Sequence, residues 1–481
     1  MNSNFIGRRE ELEQLSRLKQ KRYASLVCLL GRRRIGKSRM IEEFGREFPK
    51  FIEIQGLPPE EEAKLHDQLD HFSEELSIQL NVKKKRLDSW TAAFSYLAEQ
   101  TRDGQCLVLL DEISWMAKGD PLFAARLKSA WDTKLKKNNE LILVLCGSVS
   151  SWISDNILKN ASFEGRVSLQ IQLKELSLQE VNSYWDKNGY RLSTAEKLLI
   201  LSITGGVPKY LEEISSSRGA EKSLIELCFS PAGILYNDFQ KIFLDIFGRR
   251  SRTLESIVRS CLTQKLSPAE LATKLDKQLS GELTECLNIL ELGGFISRDY
   301  YFKADGEAST LNHLRVSDNY LRFYLKYIEP RKKAISKGGK KYESMSELPG
   351  FESTVGLQFE NLILTNRTLL YDKLDITQNQ VISAAPYIQR KKSTNQGGCQ
   401  IDLLIHSKLD VFYLCEIKYG KRIDRSIIKE VQKKMSVLQL PKRCALKPVL
   451  IYAGGLTADS EEQIRDFFFK IVEFEELLLN F

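Results

Sequence analysis

Residues 31–38 read Gly31-Arg32-Arg33-Arg34-Ile35-Gly36-Lys37-Ser38, two glycines separated by four residues and followed by a lysine and a hydroxyl. The pattern G-x-x-x-x-G-K-[ST] is the sequence form of a phosphate cradle. Glycine at 31 and 36 lets backbone N–H groups turn inward without a Cβ clash, and a helix beginning at the lysine adds its positive end. In such a cradle Lys37 reaches the β- and γ-phosphates of a nucleoside triphosphate and the Ser38 hydroxyl takes a Mg2+ position. Residues 31–38 and the adjoining Arg39 are therefore the candidate ATP-contacting set. The plainer alternative is a surface loop rich in Gly and Arg. It is disfavoured by the apolar run Leu26-Val27-Cys28-Leu29-Leu30 before the loop and the helical pattern at Met40-Ile41-Glu42-Glu43-Phe44 after it.

Two further groups of residues could do chemistry. Cys106-Leu107-Val108-Leu109-Leu110-Asp111-Glu112 is an apolar run ending in two acids. Beside a phosphate loop, Asp111 would hold Mg2+ through water and Glu112 would polarise the attacking water. Near the C-terminal end, Ile401-Asp402-Leu403-Leu404-Ile405 and Val411-Phe412-Tyr413-Leu414-Cys415-Glu416-Ile417-Lys418 read as two strands, each with an acid inside it. A hairpin centred on 409 puts Asp402 directly opposite Glu416. Facing carboxylates repel and ask for a cation between them. Lys418, two residues beyond Glu416, falls on the same face. A hairpin with solvated charges is the alternative.

The elements that must position these residues follow from periodicity. A helix with Leu12, Leu15 and Leu18 opens the chain after Phe5-Ile6-Gly7-Arg8. Leu141-Ile142-Leu143-Val144-Leu145-Cys146 is a third buried strand and 167–173 a fourth. Ser177-x-x-Glu180 and Ser193-x-x-Glu196 are helix-starting capping boxes. Gly205-Gly206 breaks a helix, and Pro208 sits at the first turn of the next. Residues 250–303 have the pattern of a winged helix-turn-helix: Leu254, Ile257 and Val258, then Ser267-Pro268-Ala269-Glu270, then Leu283, Leu287 and Leu290, then a wing at 295–302. Its third helix carries Glu282, Glu285 and Glu291 and no Lys or Arg, which argues against a major-groove reader. An aromatic helix at 316–327 reads as core. Residues 331–341 hold six basic residues and no acid, a solvated linker or a phosphate-backbone contact. A helix containing Glu360 precedes the C-terminal hairpin. A helix at 423–440 and a strand at 448–452 follow it.

The chain has 481 residues, 42% hydrophobic and 28% charged, with formal net charge +8. It is too long for one core and mildly basic, which permits a polyanionic partner. Nine cysteines without a C-x-x-C pair speak against a zinc site or disulfide framework and for a reducing, cytoplasmic setting. No signal peptide is expected from the first residues, and no apolar run approaches the ~20 residues of a membrane span.

The phosphate loop, the Leu109-Leu110-Asp111-Glu112 strand end, Gly165-Arg166 and Gly205-Gly206-Val207-Pro208-Lys209-Tyr210-Leu211 occur in the order found in archaeal-type AAA ATPases. The chain resembles that family, related to the signal-transduction ATPases with numerous domains (STAND), over residues 5–245 and more loosely beyond. The resemblance implies that the Phe5-Ile6-Gly7-Arg8 stretch lies near adenine and that Ser148 is a γ-phosphate sensor. It also implies that Pro208 packs on the base, that Arg166 is a phosphate sensor or an arginine finger of a homo-oligomer, and that the winged helix clamps the ATPase. Glu360, Asp402, Glu416 and Lys418 resemble, position by position, the PD-(D/E)XK nucleases, with Ile401 where that name has proline. This implies Mg2+ held by Asp402, Glu416 and the Ile417 carbonyl, with Lys418 activating water. The fold class expected is α/β: a P-loop AAA-type ATPase core (1–172), helical lid (173–248), winged helix (249–305), helix and basic linker (306–345) and restriction-endonuclease-like α/β domain (346–481). The function expected is ATP binding and hydrolysis coupled to metal-dependent cleavage of nucleic acid, DNA first, with no membrane partner. The alternative is a STAND-like regulatory switch whose nuclease-like part senses or docks.

Overall fold

Three runs in which every residue is buried make the interior of the first sheet: β1 (Ser25–Leu30), β3 (Cys106–Asp111) and β4 (Leu141–Gly147). β2 (Lys50–Gln55) and β5 (Val167–Gln172) are the half-exposed edges. The order is β2-β3-β4-β1-β5, all parallel. Continuous apolar strands are what a parallel sheet covered on both faces requires. One face packs on Leu12, Leu15, Met40, Ile41 and Phe44, the other on Phe72, Trp90, Phe94, Phe123 and Trp131. The computed structural model describes residues 5–58, 64–147, 151–247, 251–262, 264–302, 308–339, 341–389 and 397–479. The chain divides into two compact units, Met1–Lys174 and Glu175–Phe481.

The second unit begins with five helices, Leu178–Lys187, Thr194–Thr204, Pro208–Glu212, Ala220–Phe229 and Ile234–Phe247. Both capping boxes form, and Pro208 opens its helix at the first turn. Gly206 has no room for a Cβ against the Leu176 carbonyl, so glycine there is a packing requirement. Helices Ser251–Ser260, Pro268–Lys274 and Gly281–Leu292 lead into an antiparallel hairpin of β6 (Ile296–Phe302) and β7 (Ala308–Val316). The aromatic segment is a helix Asn319–Phe323 that continues as a π-turn Tyr324–Ile328. Helix Phe351–Thr365 precedes β8 (Val381–Gln389), β9 (Cys399–Ser407) and β10 (Val411–Ile423), an antiparallel meander. Helix Ser426–Val437 crosses over to β11 (Ala445–Leu456), parallel to β10, and β12 (Lys470–Glu473) adds a further parallel edge. One hydrophobic core runs through the unit from Leu176 to Leu478. Helix Leu178–Lys187 is tied to the far end of the unit by Gln179 Nε2 donating to the Leu479 carbonyl at 2.9 Å, and to the end of helix Phe351–Thr365 by its Leu178 N–H donating to Asn366 Oδ1 at 3.1 Å.

Candidate functional site

β1 delivers the loop at residue 31 to the strand-end side of the first sheet, where ligands bind in open α/β folds. Gly31 passes so close to β5 that an added Cβ would meet the Leu173 carbonyl at 2.9 Å. Arg34 (φ 69) and Gly36 (φ 88) take left-handed backbone, the alternation that turns successive N–H groups toward an anion. Helix Lys37–Gly45 starts immediately and has no acid in its first turn, leaving its positive end open to negative charge. Lys37 is folded into the loop and donates to the Gly31 and Arg32 carbonyls at 2.9 and 3.0 Å. Ser38 Oγ donates to Asp111 Oδ2 at 2.5 Å, so the two residues expected to share Mg2+ already touch. Glu112 follows in left-handed backbone (φ 48), buried, at the start of a short helix, Ile113–Met116. Arg33 lies over the Trp115 ring at 5.6 Å.

Three contacts support this site, one of them from the Phe5-Ile6-Gly7-Arg8 stretch expected near adenine and two not read from the sequence. Arg8, buried and also left-handed, donates from Nη2 to the Ile35 carbonyl at 2.9 Å and so fastens the entry segment to the loop. Gly56 ends β2 where a Cβ would meet the Glu112 carbonyl at 2.8 Å. Glu53, on β2, is pushed up to about 7 by burial and by the neighbouring Glu42 and Asp111 carboxylates. Of the two not read from the sequence, only Gly56 carried a signal, the general tendency of Gly to mark close backbone approach.

Arg166 is corrected in one of its two expected roles. It precedes β5, whose first residue, Val167, pairs with Leu26 at the start of β1, whereas the phosphate loop follows Leu30. At about 3.3 Å per residue, the two ends of that strand are on the order of 13 Å apart. Arg166 instead grips Asp132 with two nitrogens, Nε at 3.0 Å and Nη2 at 2.9 Å, holding that carboxyl well below the usual range. It is therefore not a sensor of its own chain's phosphates. Ser148 lies outside the described residues.

In the second unit β9 and β10 pair from Val411↔Ser407 to Cys415↔Leu403, and the next step of that register sets Glu416 against Asp402. Asp402 Oδ2 accepts the Ile417 N–H at 2.9 Å. Asp402 as a residue is half-buried, yet its carboxyl is enclosed. Burial and the Glu416 and Glu360 carboxylates raise it to about 7. Glu416 is 1% exposed and holds two lysines: Lys434 Nζ on Oε2 at 2.6 Å and Lys418 Nζ at 3.0 Å from Oε1, the latter an ion pair outside hydrogen-bond geometry. Lys418 and Lys434 also share Glu430, each at 3.2 Å. Glu360, on helix Phe351–Thr365, is held by Lys265 at 3.2 Å. The contacts of Lys434 with Glu416 and of Lys265 with Glu360 were not read from the sequence, because those partners lie 18 and 95 residues away. Among the described residues no three His, Cys, Asp or Glu side chains gather as a ready metal-holding group. The donors still suit Mg2+, which is bound by one or two carboxylates with substrate oxygens completing its shell: Asp402 and Glu416 face each other and Asp402 is destabilised as an anion.

A parallel sheet in the order β2-β3-β4-β1-β5, with a glycine cradle after β1 and an Asp-Glu pair at the end of β3, is the arrangement of a P-loop nucleotide-binding fold. Residues 5–214 match the family described as an ATPase domain predominantly from Archaea, and this part of the chain is similar to that family. The chain is similar to an uncharacterized protein of Methanocaldococcus jannaschii, 22% identical over 343 residues that cover 69% of this chain and 71% of the relative. Among solved structures, the Walker-type ATPase of Pyrococcus abyssi matches with TM-score 0.50 and 16% identity, over 67% of this chain and 97% of that one. The Aeropyrum pernix ORC2 protein in its ADPNP-ADP complexes matches with TM-score 0.41 and 13% identity, over 70% and 96%. Among the described residues no helix is long and apolar enough to cross a membrane.

Proposed function

We propose that the chain hydrolyses ATP at the loop of residues 31–39 and cuts nucleic acid, DNA first, at the carboxylate cluster of its C-terminal sheet. In the ATPase, Lys37 exchanges the Gly31 and Arg32 carbonyls for the β- and γ-phosphate oxygens. Ser38 and Asp111 are the residues that would hold Mg2+, and Glu112 orients the attacking water and takes its proton. Arg166 serves a neighbouring copy as a finger, which makes the active ATPase a homo-oligomer.

In the nuclease, Asp402, Glu416 and the Ile417 carbonyl would hold the metal. When bound, Mg2+ supplies charge to the scissile phosphate and a more acidic water. Lys418 stands beside Glu416, where its ammonium balances charge building on the phosphate. The observation that carries this reading is the strand register up to Cys415↔Leu403, which sets Asp402 against Glu416 at its next step, within the field of Glu360. The order helix, three antiparallel strands, helix, parallel strand supports it, as nucleases of the PD-(D/E)XK kind are built that way. The winged-helix-like segment is read as a clamp rather than a groove reader, since helix Gly281–Leu292 presents acids and no base.

The test is ATPase and strand scission on one purified protein, with and without DNA, beside Lys37→Ala and Glu416→Ala. Scission that needs Mg2+ and disappears in Glu416→Ala supports the reading; no scission in any nucleotide state sinks it. A specific observation favours the second reading, a regulatory ATPase switch with a docking domain: Glu416 and Glu360 are both already countered by lysines. Metal-dependent scission separates the two.

A further inference from the structure

Arg322 stands on the short helix Asn319–Phe323 and is 6% exposed. Its Nη1 donates to the Leu262 carbonyl at 3.3 Å and its Nη2 to the Val316 carbonyl at 2.5 Å, while Nε has no hydrogen-bond partner. Among the described residues no carboxylate lies within ion-pair distance of it. Asp318, four residues before, uses its carboxylate to cap the helix at the Leu321 N–H, 2.8 Å away. The nearby Arg315 differs, being paired with Asp299 at 2.9 Å. A buried cation held by carbonyls alone is electrostatically unbalanced and calls for an anion. Burial and Arg315 push the guanidinium down to about 10, more than the Glu360 carboxylate nearby offsets.

Arg322 lines a cavity of about 390 Å3 together with Lys265, His313, Arg315 and Glu360. Its basic side chains outnumber its acid, and its volume falls within the roughly 300–1,000 Å3 of small-ligand sites. Across the cavity from the winged-helix-like segment stand Ile388 of β8 and Gln400 of β9, on the strands that lead to Asp402. Glu360 belongs both to this wall and to the carboxylate group that raises Asp402.

We propose that this cavity is a phosphate subsite for a nucleic-acid strand, with Arg322 and Lys265 as its cationic ligands, anchoring the backbone beside Glu360, Asp402 and Glu416. It rests on the nuclease reading and deepens it. Arg322 is fixed by two carbonyls, keeps a buried, unpartnered Nε, and supplies the fixed positive charge of the site. Lys265 is the mobile member: it leaves Glu360 for the phosphate, so that occupancy of the subsite and release of Glu360 toward the cluster are one event.

The test uses the full chain in a Lys37→Ala background, which removes the other phosphate site, with EDTA present so that nothing is cut. A fluorescent single-stranded oligodeoxynucleotide is titrated by anisotropy over a salt series, and each variant is checked by thermal melting. Lys265→Gln is expected to weaken binding roughly tenfold and to flatten the log–log salt slope by about 0.7, the loss of one phosphate contact. Arg322→Lys should weaken it as well; if that variant does not fold, Lys265→Gln carries the test alone. Unchanged affinity and slope in a folded Lys265→Gln would overturn the subsite. Competition by AMP or inorganic phosphate as effective, phosphate for phosphate, as unlabelled strand would also overturn it, assigning the cavity to a free phosphate compound. Binding that depends on Lys265 in a protein that cuts under no nucleotide state would retain the subsite and reject the nuclease. Scission with binding indifferent to Lys265 would do the reverse.

Discussion

Replacing Asp402 by Asn is expected to stabilise the metal-free protein at pH 8 and to do so by less than half as much at pH 5. The folded carboxyl titrates near 7 against an ordinary 3.8. Because the folded value is the higher one, its contribution to stability is full below about pH 4 and is lost as pH rises through 7. At about 1.4 kcal/mol per pH unit, the deficit at pH 8 has a ceiling of roughly 4 kcal/mol. Relaxation of the neighbouring carboxylates and entry of water reduce this, and about 2 kcal/mol is the working figure. Asn keeps an oxygen for the Ile417 N–H, which Asp402 accepts at 2.9 Å, so the substitution removes charge more than structure. At roughly 2–4 °C per kcal/mol, the melting temperature should rise by about 4–8 °C. Thermal melting of the full chain in EDTA at pH 5 and pH 8 measures it, and Mg2+ at pH 8 should then raise the parent protein but not the variant. A variant less stable than its parent at pH 8, or an equal shift at both pH values, would refute the like-charge cluster.

Lys37→Ala should abolish ATP binding measured by calorimetry, whereas Glu112→Gln should bind ATP and turn it over about 10²–10⁴-fold more slowly; native turnover by Glu112→Gln would mean that Glu112 is misassigned. Arg166→Ala and Lys37→Ala, each inactive alone, should regain ATPase activity when mixed, since one copy supplies the finger and the other the loop. No recovery at any ratio rejects the finger. Lys434→Ala removes the 2.6 Å partner of a buried carboxylate and should cost about 2 kcal/mol in EDTA, partly regained with Mg2+; an unchanged melt would show that Lys418 alone balances Glu416.

What was legible in the sequence was local. The loop of residues 31–38 is a contiguous pattern, and β1, β3 and β4 are unbroken apolar runs, so their place followed from chain order. The Asp402–Glu416 register was legible because a hairpin has one free parameter, its centre, and the two strands fixed it at 409. Contacts between distant segments were not. Arg8 reaches across 27 residues to Ile35, and Lys265 across 95 to Glu360. β7, β8 and β12 carry patterns such as Ala-Ser-Thr-Leu-Asn-His and Lys-Ile-Val-Glu, too polar or too short to stand out until a neighbouring strand is known. Arg322 was read as part of an aromatic core helix. Its neighbours are indeed core, and nothing in the spacing marks one buried cation among them as lacking a counter-charge.

The core running from Leu176 to Leu478 has a consequence for synthesis. Helix Leu178–Lys187 packs its Val181 and Trp185 into a core that Phe474, Leu477 and Leu478 complete. At about 5–20 residues per second, roughly 15–60 s pass between translation of the two segments. The sheet of the first unit can close while the ribosome is still working, but the first helices of the second unit must wait with their apolar faces uncovered. This half of the chain is therefore the part on which a chaperone would act. A reading frame cut short before Phe474 would lose the closing piece of a core begun nearly three hundred residues earlier.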